Sequence, residues 1–221
     1  MDSARAAAHE LLREGLCRLG LDENGALAAA LTRFADLIDA ANPVYRLVRA
    51  DLSRLVTHHL LDSLAAVPAL RRVAPRATVL DVGSGAGLPG VPLALALPDS
   101  RVTLLERSIR RVAFLHQVRR ELALRELSIV GRPLAEAALG PFDVVTWRAV
   151  APLARLLPDL RPVLHRCSTV VVYQGTADTV RRELAAVRAF AGGAPQVQVV
   201  PLSVPSLRAQ RHLILLRGVR R

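Results

Sequence analysis

The stretch Leu80-Asp81-Val82-Gly83-Ser84-Gly85-Ala86-Gly87-Leu88-Pro89-Gly90 decides the fold. It reads as a strand ending in an acid, a glycine turn, and a helix that begins at Pro89, where the missing N–H costs nothing. Glycines let the backbone approach a ligand closely and take conformations that a Cβ forbids. The helix N-terminus behind them offers free N–H groups and a partial positive charge. These features predict a nucleotide-type cofactor site.

C-terminal to this turn, strand and helix patterns alternate. Strands are predicted at 78–82, 101–106, 127–131, 142–146, 168–173, 196–203 and 211–217. Helices are predicted at 89–97, 108–123, 152–163 and 177–191, with an irregular link at 132–141. Too few residues join the last two strands, around Pro205-Ser206, for a crossover helix, so they must pair antiparallel. On the N-terminal side the chain reads helical, over 4–19, over 25–41 up to a break at Asn42-Pro43, and from about Ser53 to residue 72. The expected division is a helical extension over 1–75 and a cofactor-binding domain over 76–221.

The 221 residues carry a formal charge of +11, and every basic side chain other than histidine is arginine. Codon bias accounts for arginine over lysine but not for base over acid, and the excess favours a polyanionic partner that guanidinium forks can grip. The pairs Arg71-Arg72, Arg110-Arg111, Arg119-Arg120 and Arg220-Arg221 fit such contacts or plain solvated faces. No apolar run approaches the roughly 20 residues of a membrane span. Met1-Asp2-Ser3-Ala4-Arg5 has no signal-peptide character. Cys17 and Cys167 fit no metal spacing and are expected as small buried hydrophobes. The expectation is a soluble cytoplasmic protein with no metal site and no membrane partner.

Gly85-x-Gly87-x-x-Gly90 satisfies the dinucleotide fingerprint. Asp81 before the first glycine, however, would repel a pyrophosphate and suits a cationic amino group. The Asp-x-Gly-x-Gly-x-Gly spacing is similar to the first motif of S-adenosylmethionine methyltransferases. Glu106 ends the next strand 19 residues after Gly87 and suits a ribose diol in either family. A nicotinamide-dependent oxidoreductase and a glycine turn that holds nothing remain the alternatives.

Four segments carry a more specific resemblance: His59-Leu60-Leu61-Asp62-Ser63-Leu64; the glycine turn followed by Pro92-Leu93-Ala94; Phe142-Asp143-Val144-Val145-Thr146 leading to Arg148-Ala149; and Arg211-His212-Leu213. In order and spacing the chain resembles the bacterial small-subunit ribosomal RNA methyltransferases that modify guanine N7, the glucose-inhibited division protein B family. The resemblance implies an α/β class I, Rossmann-like methyltransferase fold, a seven-stranded sheet with one antiparallel strand behind an N-terminal helical extension. It implies methyl transfer from S-adenosylmethionine to N7 of one guanine, conventionally G527, in the 530 loop of 16S rRNA, as naked rRNA or within the 30S subunit; a monomer is expected. N7 attack needs in-line positioning and no general base. Thr146-Trp147-Arg148-Ala149 lacks the Asn/Asp-Pro-Pro of exocyclic-amine enzymes, and no cysteine stands where a cytosine-C5 enzyme needs one.

Carried over residue by residue, Gly83, Gly85 and Leu88 hold the cofactor through the turn, Asp81 faces its amino end and Glu106 its ribose. Pro133 and Leu134 fall in the adenine-side loop, and Arg148 lies near cofactor and substrate. His59 and Asp62, three apart on one helical face, are expected beside the substrate pocket or as a packing pair, able to bond each other. Asn42 and Trp147 are substrate candidates, the latter for stacking on a flipped guanine or as a plain core residue. Departures from the family pattern at Arg46, Val48, Pro133, Leu134 and Gln174 bear on the acceptor more than on the cofactor. A paralogue acting on another RNA or a small molecule, or a cofactor-binding RNA-associated protein with little catalysis, therefore stays open.

Overall fold

The computed structural model describes residues 3–21, 25–190 and 195–219; the Arg220-Arg221 pair lies outside them. Seven strands form one sheet: β1 (Thr78–Val82), β2 (Arg101–Leu105), β3 (Ser128–Val130), β4 (Phe142–Trp147), β5 (Leu164–Gln174), β6 (Gln196–Leu202) and β7 (Arg211–Arg217). Their order is β3-β2-β1-β4-β5-β7-β6. β7 runs antiparallel to both β5 and β6, so it is the single reversed strand. The order turns back at β1, which has β2 on one side and β4 on the other, both parallel. A crevice for ligands forms beyond the carboxyl ends of strands at such a switch point.

Neighbouring residues along the central strands go to opposite faces, as the pleat requires. Val79, Leu104, Val144, Val171 and Leu213 join one buried cluster; Leu80, Leu105, Val145, Val170 and Ile214 join the other. The first cluster also holds Leu12 and Leu16 of α1 (Ser3–Leu19) and Phe34 and Ile38 of α2 (Ala26–Tyr45). The N-terminal helices thus share a core with the sheet. The second cluster takes Leu153, Leu157 and Leu160 of α8 (Leu153–Leu160) and Val180 and Val187 of α9 (Ala177–Phe190).

Three local expectations are corrected. α2 does not stop at Asn42-Pro43 but runs to Tyr45 and ends at Arg46, left-handed at φ 50°. A proline in the last turn removes only one ladder bond, so it does not end the helix early. The expected helix over 53–72 is broken into α3 (Leu52–Leu55), a π-helical turn over Val56–Leu61, α4 (Asp62–Leu64) and α5 (Val67–Val73). Its cap is Asp51, whose carboxylate accepts from Arg54 N. Cys17 and Cys167 are exposed, not buried. Among the described residues no helix is long and apolar enough to cross a membrane.

Candidate functional site

Two cavities open beyond the carboxyl ends of the central strands. The first, about 760 Å³, is floored by the glycine turn between β1 and α6 (Gly90–Ala96). Gly83, Gly85 and Gly87 sit at φ 68°, 59° and 87°, a region L-residues avoid, so the turn requires glycine there. Gly83 N and Ser84 N donate to Leu105 O, and Gly87 N and Leu88 N donate to Ser84 O, which closes the turn against β2. Glu106 is buried; its Oε2 accepts from Gly85 N at 2.9 Å and its Oε1 from Ser108 N at 2.9 Å. Gly83, Gly85, Leu88 and Glu106 line this cavity, with Pro133 and Leu134 also on its wall. A volume of this size suits a nucleoside-containing cofactor.

Asp81 does not line either cavity. Its Oδ2 accepts from Gly90 N at 2.9 Å, so the first amide of α6 captures the carboxylate expected to face a ligand. Burial pushes its pKa up to about 7, against the Gly90 and Ser84 hydrogen bonds. Its Oδ1 and Thr146 Oγ1, on register-paired residues of β1 and β4, are buried without partners.

The second cavity, about 690 Å³, lies over β4, β5 and β7. Its wall includes Arg49, Arg54, His58, His59, Asp62 and Arg211. His59, Arg148, Ala149, Val150 and Ala151 border both cavities, so the short segment after β4 is the partition between them. Ala149 is held left-handed at φ 55°, and Val150 is exposed. A Cβ on Gly83 would lie 2.6 Å from Val150 Cγ2, so the glycine lets the partition close onto the turn.

Arg148 ties this junction together. Its Nη1 donates to Asp62 Oδ2 at 3.2 Å and its Nη2 to His59 Nδ1 at 3.0 Å. Arg211 Nε donates to Asp62 Oδ1 at 3.0 Å. Asp62 is buried and holds two cations; burial raises its pKa, and the two guanidinium groups oppose that shift. Burial first, then the charge of Arg148, lowers His59 to about 4, so its imidazole is neutral. His59 and Asp62 do not bond each other as their spacing suggested: the π turn separates them and Arg148 stands between. Such turns recur at functional sites because the inserted residue re-aims the side chains that follow.

Two substrate candidates are corrected. Trp147 borders the second cavity, yet it is 1% exposed and its Nε1 donates to Ala151 O at 3.2 Å, so of its two readings the core residue fits: it braces the partition and leaves no face open for stacking. Asn42 Nδ2 donates to Val48 O at 2.7 Å and its Oδ1 accepts from Val48 N at 2.9 Å. Both ends of its amide are spent on the 46–50 loop, whose Leu47, Val48 and Arg49 border the first cavity. The sequence reading missed Arg49, Arg54 and Arg211 as site residues. Only Arg211 stood in a quoted segment; the others follow a helix end and a cap whose folding back onto the sheet no periodicity shows.

The model of the family described as rRNA small subunit methyltransferase G matches residues 27–214. Curated relatives named "Ribosomal RNA small subunit methyltransferase G" include one from Aromatoleum aromaticum, 39% identical over 93% of this chain and 96% of its own. Another, from Burkholderia thailandensis, is 37% identical over 96% of this chain and 92% of its own. Among solved structures, a methyltransferase from Pyrococcus furiosus aligns with TM-score 0.57 at 15% identity, over 86% of this chain and 99% of that one. A ribosomal protein L11 methylase from Lactobacillus delbrueckii aligns with TM-score 0.56 at 16% identity, over 71% and 78%. At such identities these two structures speak for the fold alone.

Proposed function

This chain belongs to the rRNA small subunit methyltransferase G family, and we propose that it methylates N7 of G527, the guanine of the 530 loop of 16S rRNA, from S-adenosylmethionine. When bound, the cofactor would supply a sulfonium methyl group that the N7 lone pair could take, with the thioether as leaving group and the positive charge passing to the guanine. The observation that carries the reading is the pair of cavities that meet at His59 and Arg148. One has the glycine floor and buried acid for a nucleoside; the other has room for an extruded base.

The chain's own residues would bind and orient. Glu106, fixed by Gly85 N and Ser108 N, keeps lone pairs for the ribose diol. Leu88, Pro133 and Leu134 would wall the adenine side. Arg49, Arg54 and Arg211 border the second cavity, where they can meet RNA phosphates on either side of the base. Asp62 offsets the charge of Arg148, so the forming guanine cation does not face an uncompensated guanidinium. Among the described residues of the junction, Asp62 is tied to two guanidinium groups and His59 accepts from Arg148, and a neutral N7 lone pair needs no general base.

The formal charge of +11 supports a polyanionic partner, the small ribosomal subunit in the cytoplasm. The test is methyl transfer from labelled S-adenosylmethionine to 30S subunits that lack the N7 methyl group, mapped by 7-methylguanine-dependent strand cleavage. A single cut in the 530 loop is expected. Intact cofactor binding with no incorporation would move the acceptor elsewhere.

A further inference from the structure

Guanine presents two acceptors side by side, N7 and O6, where adenine presents N7 beside an amino donor. The commonest protein reading of guanine, an arginine fork on O6 and N7, would cover the lone pair that has to attack. A site that methylates N7 must leave N7 bare, and where it reads that edge of the base it has a single donor on O6 to do so. This argument rests on the guanine-N7 reading above.

The junction of the two cavities is built in that way. The fork of Arg148 is turned onto the protein, with Nη1 on Asp62 Oδ2 and Nη2 on His59 Nδ1. A guanidinium cannot accept, so His59 Nδ1 is the acceptor of that bond and the ring proton sits on Nε2. Nε2 has no partner among the described residues, and it is not among the sealed unpartnered atoms, which are Asp81 Oδ1 and Thr146 Oγ1. His59 borders both cavities and is only half-buried, so Nε2–H is the ring donor left for a ligand at the place where cofactor and acceptor would meet. The imidazole is neutral, because burial and the neighbouring guanidinium groups lower its pKa to about 4. A neutral donor on O6 withdraws less density from the adjacent N7 than a cation would.

We propose that His59, oriented by Arg148, is the specificity-determining residue that donates to O6 of the target guanine through Nε2 and excludes adenine. Adenine would set its amino group against the imidazole N–H, leaving two donors unpaired in a confined site. The ring cannot offer an acceptor instead without giving up its bond to Arg148. The discrimination belongs to a tautomer fixed by a neighbour, which is why Arg148 and His59 act as a unit.

The test pairs a protein change with an atomic change in the base. Small subunits are reconstituted with 16S rRNA that carries guanosine or 2-aminopurine riboside at the target; the latter keeps N7 and lacks O6. Wild-type protein, His59→Ala and His59→Gln are compared by kcat/KM, with cofactor affinity and melting temperature checking the fold. Loss of O6 is expected to lower the wild-type value about 10- to 100-fold, within the cost of leaving one confined donor unpaired. His59→Ala should lose a similar factor on guanosine and nothing further on 2-aminopurine. His59→Gln, whose amide can accept from Arg148 and donate onward, should regain part of the loss on guanosine only. The cycle cancels the change in N7 basicity between the two bases. Equal losses for His59→Ala on both substrates would overturn the proposal. So would a wild-type enzyme indifferent to O6, a comparison that stands even where the variants fail to fold. Wild-type protein that binds cofactor yet leaves guanine N7 unmethylated would instead overturn the reaction assigned above, and this assignment with it.

Discussion

Replacing Asp62 by asparagine separates the charge at the junction from its shape. Asp62 is 3% exposed and accepts from Arg148 Nη1 on one oxygen and from Arg211 Nε on the other. In Asp62→Asn one of those donors meets an amide NH2, and both guanidinium groups lose their counter-charge. Breaking a buried ion pair costs about 3–5 kcal/mol, and the partial exposure of both arginines reduces this to about 2–3 kcal/mol here. In a chain of this length that is a fall in melting temperature of about 4–12 °C. Asp62 borders the second cavity and not the first, so cofactor affinity by calorimetry should stay within about threefold, whereas kcat/KM for 30S subunits should fall about tenfold or more as Arg148 loses its seat. Thermal melts, calorimetry and methyl transfer well below both melting temperatures separate the three effects. A carboxyl that burial had already neutralised would lose almost nothing on becoming an amide. A melting temperature changed by less than about 1 °C would therefore refute the doubly paired carboxylate.

The remaining predictions concern the turn, the loop clamp and two titrating groups, one half-buried and one buried. Gly90→Ala places a Cβ against the Leu104 side chain and 2.6 Å from Asp81 Oδ2, and should destabilise by about 1–3 kcal/mol in urea unfolding. Asn42→Ala removes both bonds to Val48, costs about 1–3 kcal/mol, and should weaken cofactor binding because Leu47 and Val48 border that cavity. His59 should titrate by NMR near 4, and Arg148→Met should raise that value by removing a nearby cation. Because the fold favours the neutral imidazole, its stabilising contribution is full above about 6.5 and is lost as pH falls through 4. Asp81 has the opposite slope: the fold favours its protonated form, a contribution present below 3.8 and lost as pH rises through about 7. Asp81→Asn should flatten that limb in unfolding curves recorded from pH 4 to 7.

What could be read in advance follows from how local each cause is. β1 and β7 end where predicted, at 78–82 and 211–217, because each is a short apolar run bounded by turn residues and buried on both faces. β5 extends to Leu164–Gln174, beyond the expected 168–173, because its first residues are held by pairing to Phe142 across an irregular register rather than by an apolar pattern. The π turn left no trace because both helix periods bury the same residues in so apolar a segment: Leu55, Val56, Leu60, Leu61 and Leu64 are all buried. One inserted residue changes where His59 and Asp62 point without changing what is hydrophobic.

The same distinction explains the site. Glycines and acids beside a strand end are local, so the place of Gly83, Gly85 and Glu106 on one cavity wall was legible in the chain, but the destination of Asp81 was not. Whether a carboxylate meets a ligand or the next helix depends on how closely that helix returns, and Gly90 N returns to within 2.9 Å. Asn42 and Trp147 followed the same course: their polar groups were captured by a nearby backbone, Val48 and Ala151. Arg148 went the other way. Its side chain reaches across the fold to His59 and Asp62, 89 and 86 residues away in sequence, and Asp62 in turn holds Arg211, 149 residues on. Three segments remote in the chain thus fix one imidazole proton, and no one of them contains that instruction. Sequence reading can nominate such residues one at a time, but their chemistry exists only once the sheet has brought β4 and β7 against the π turn.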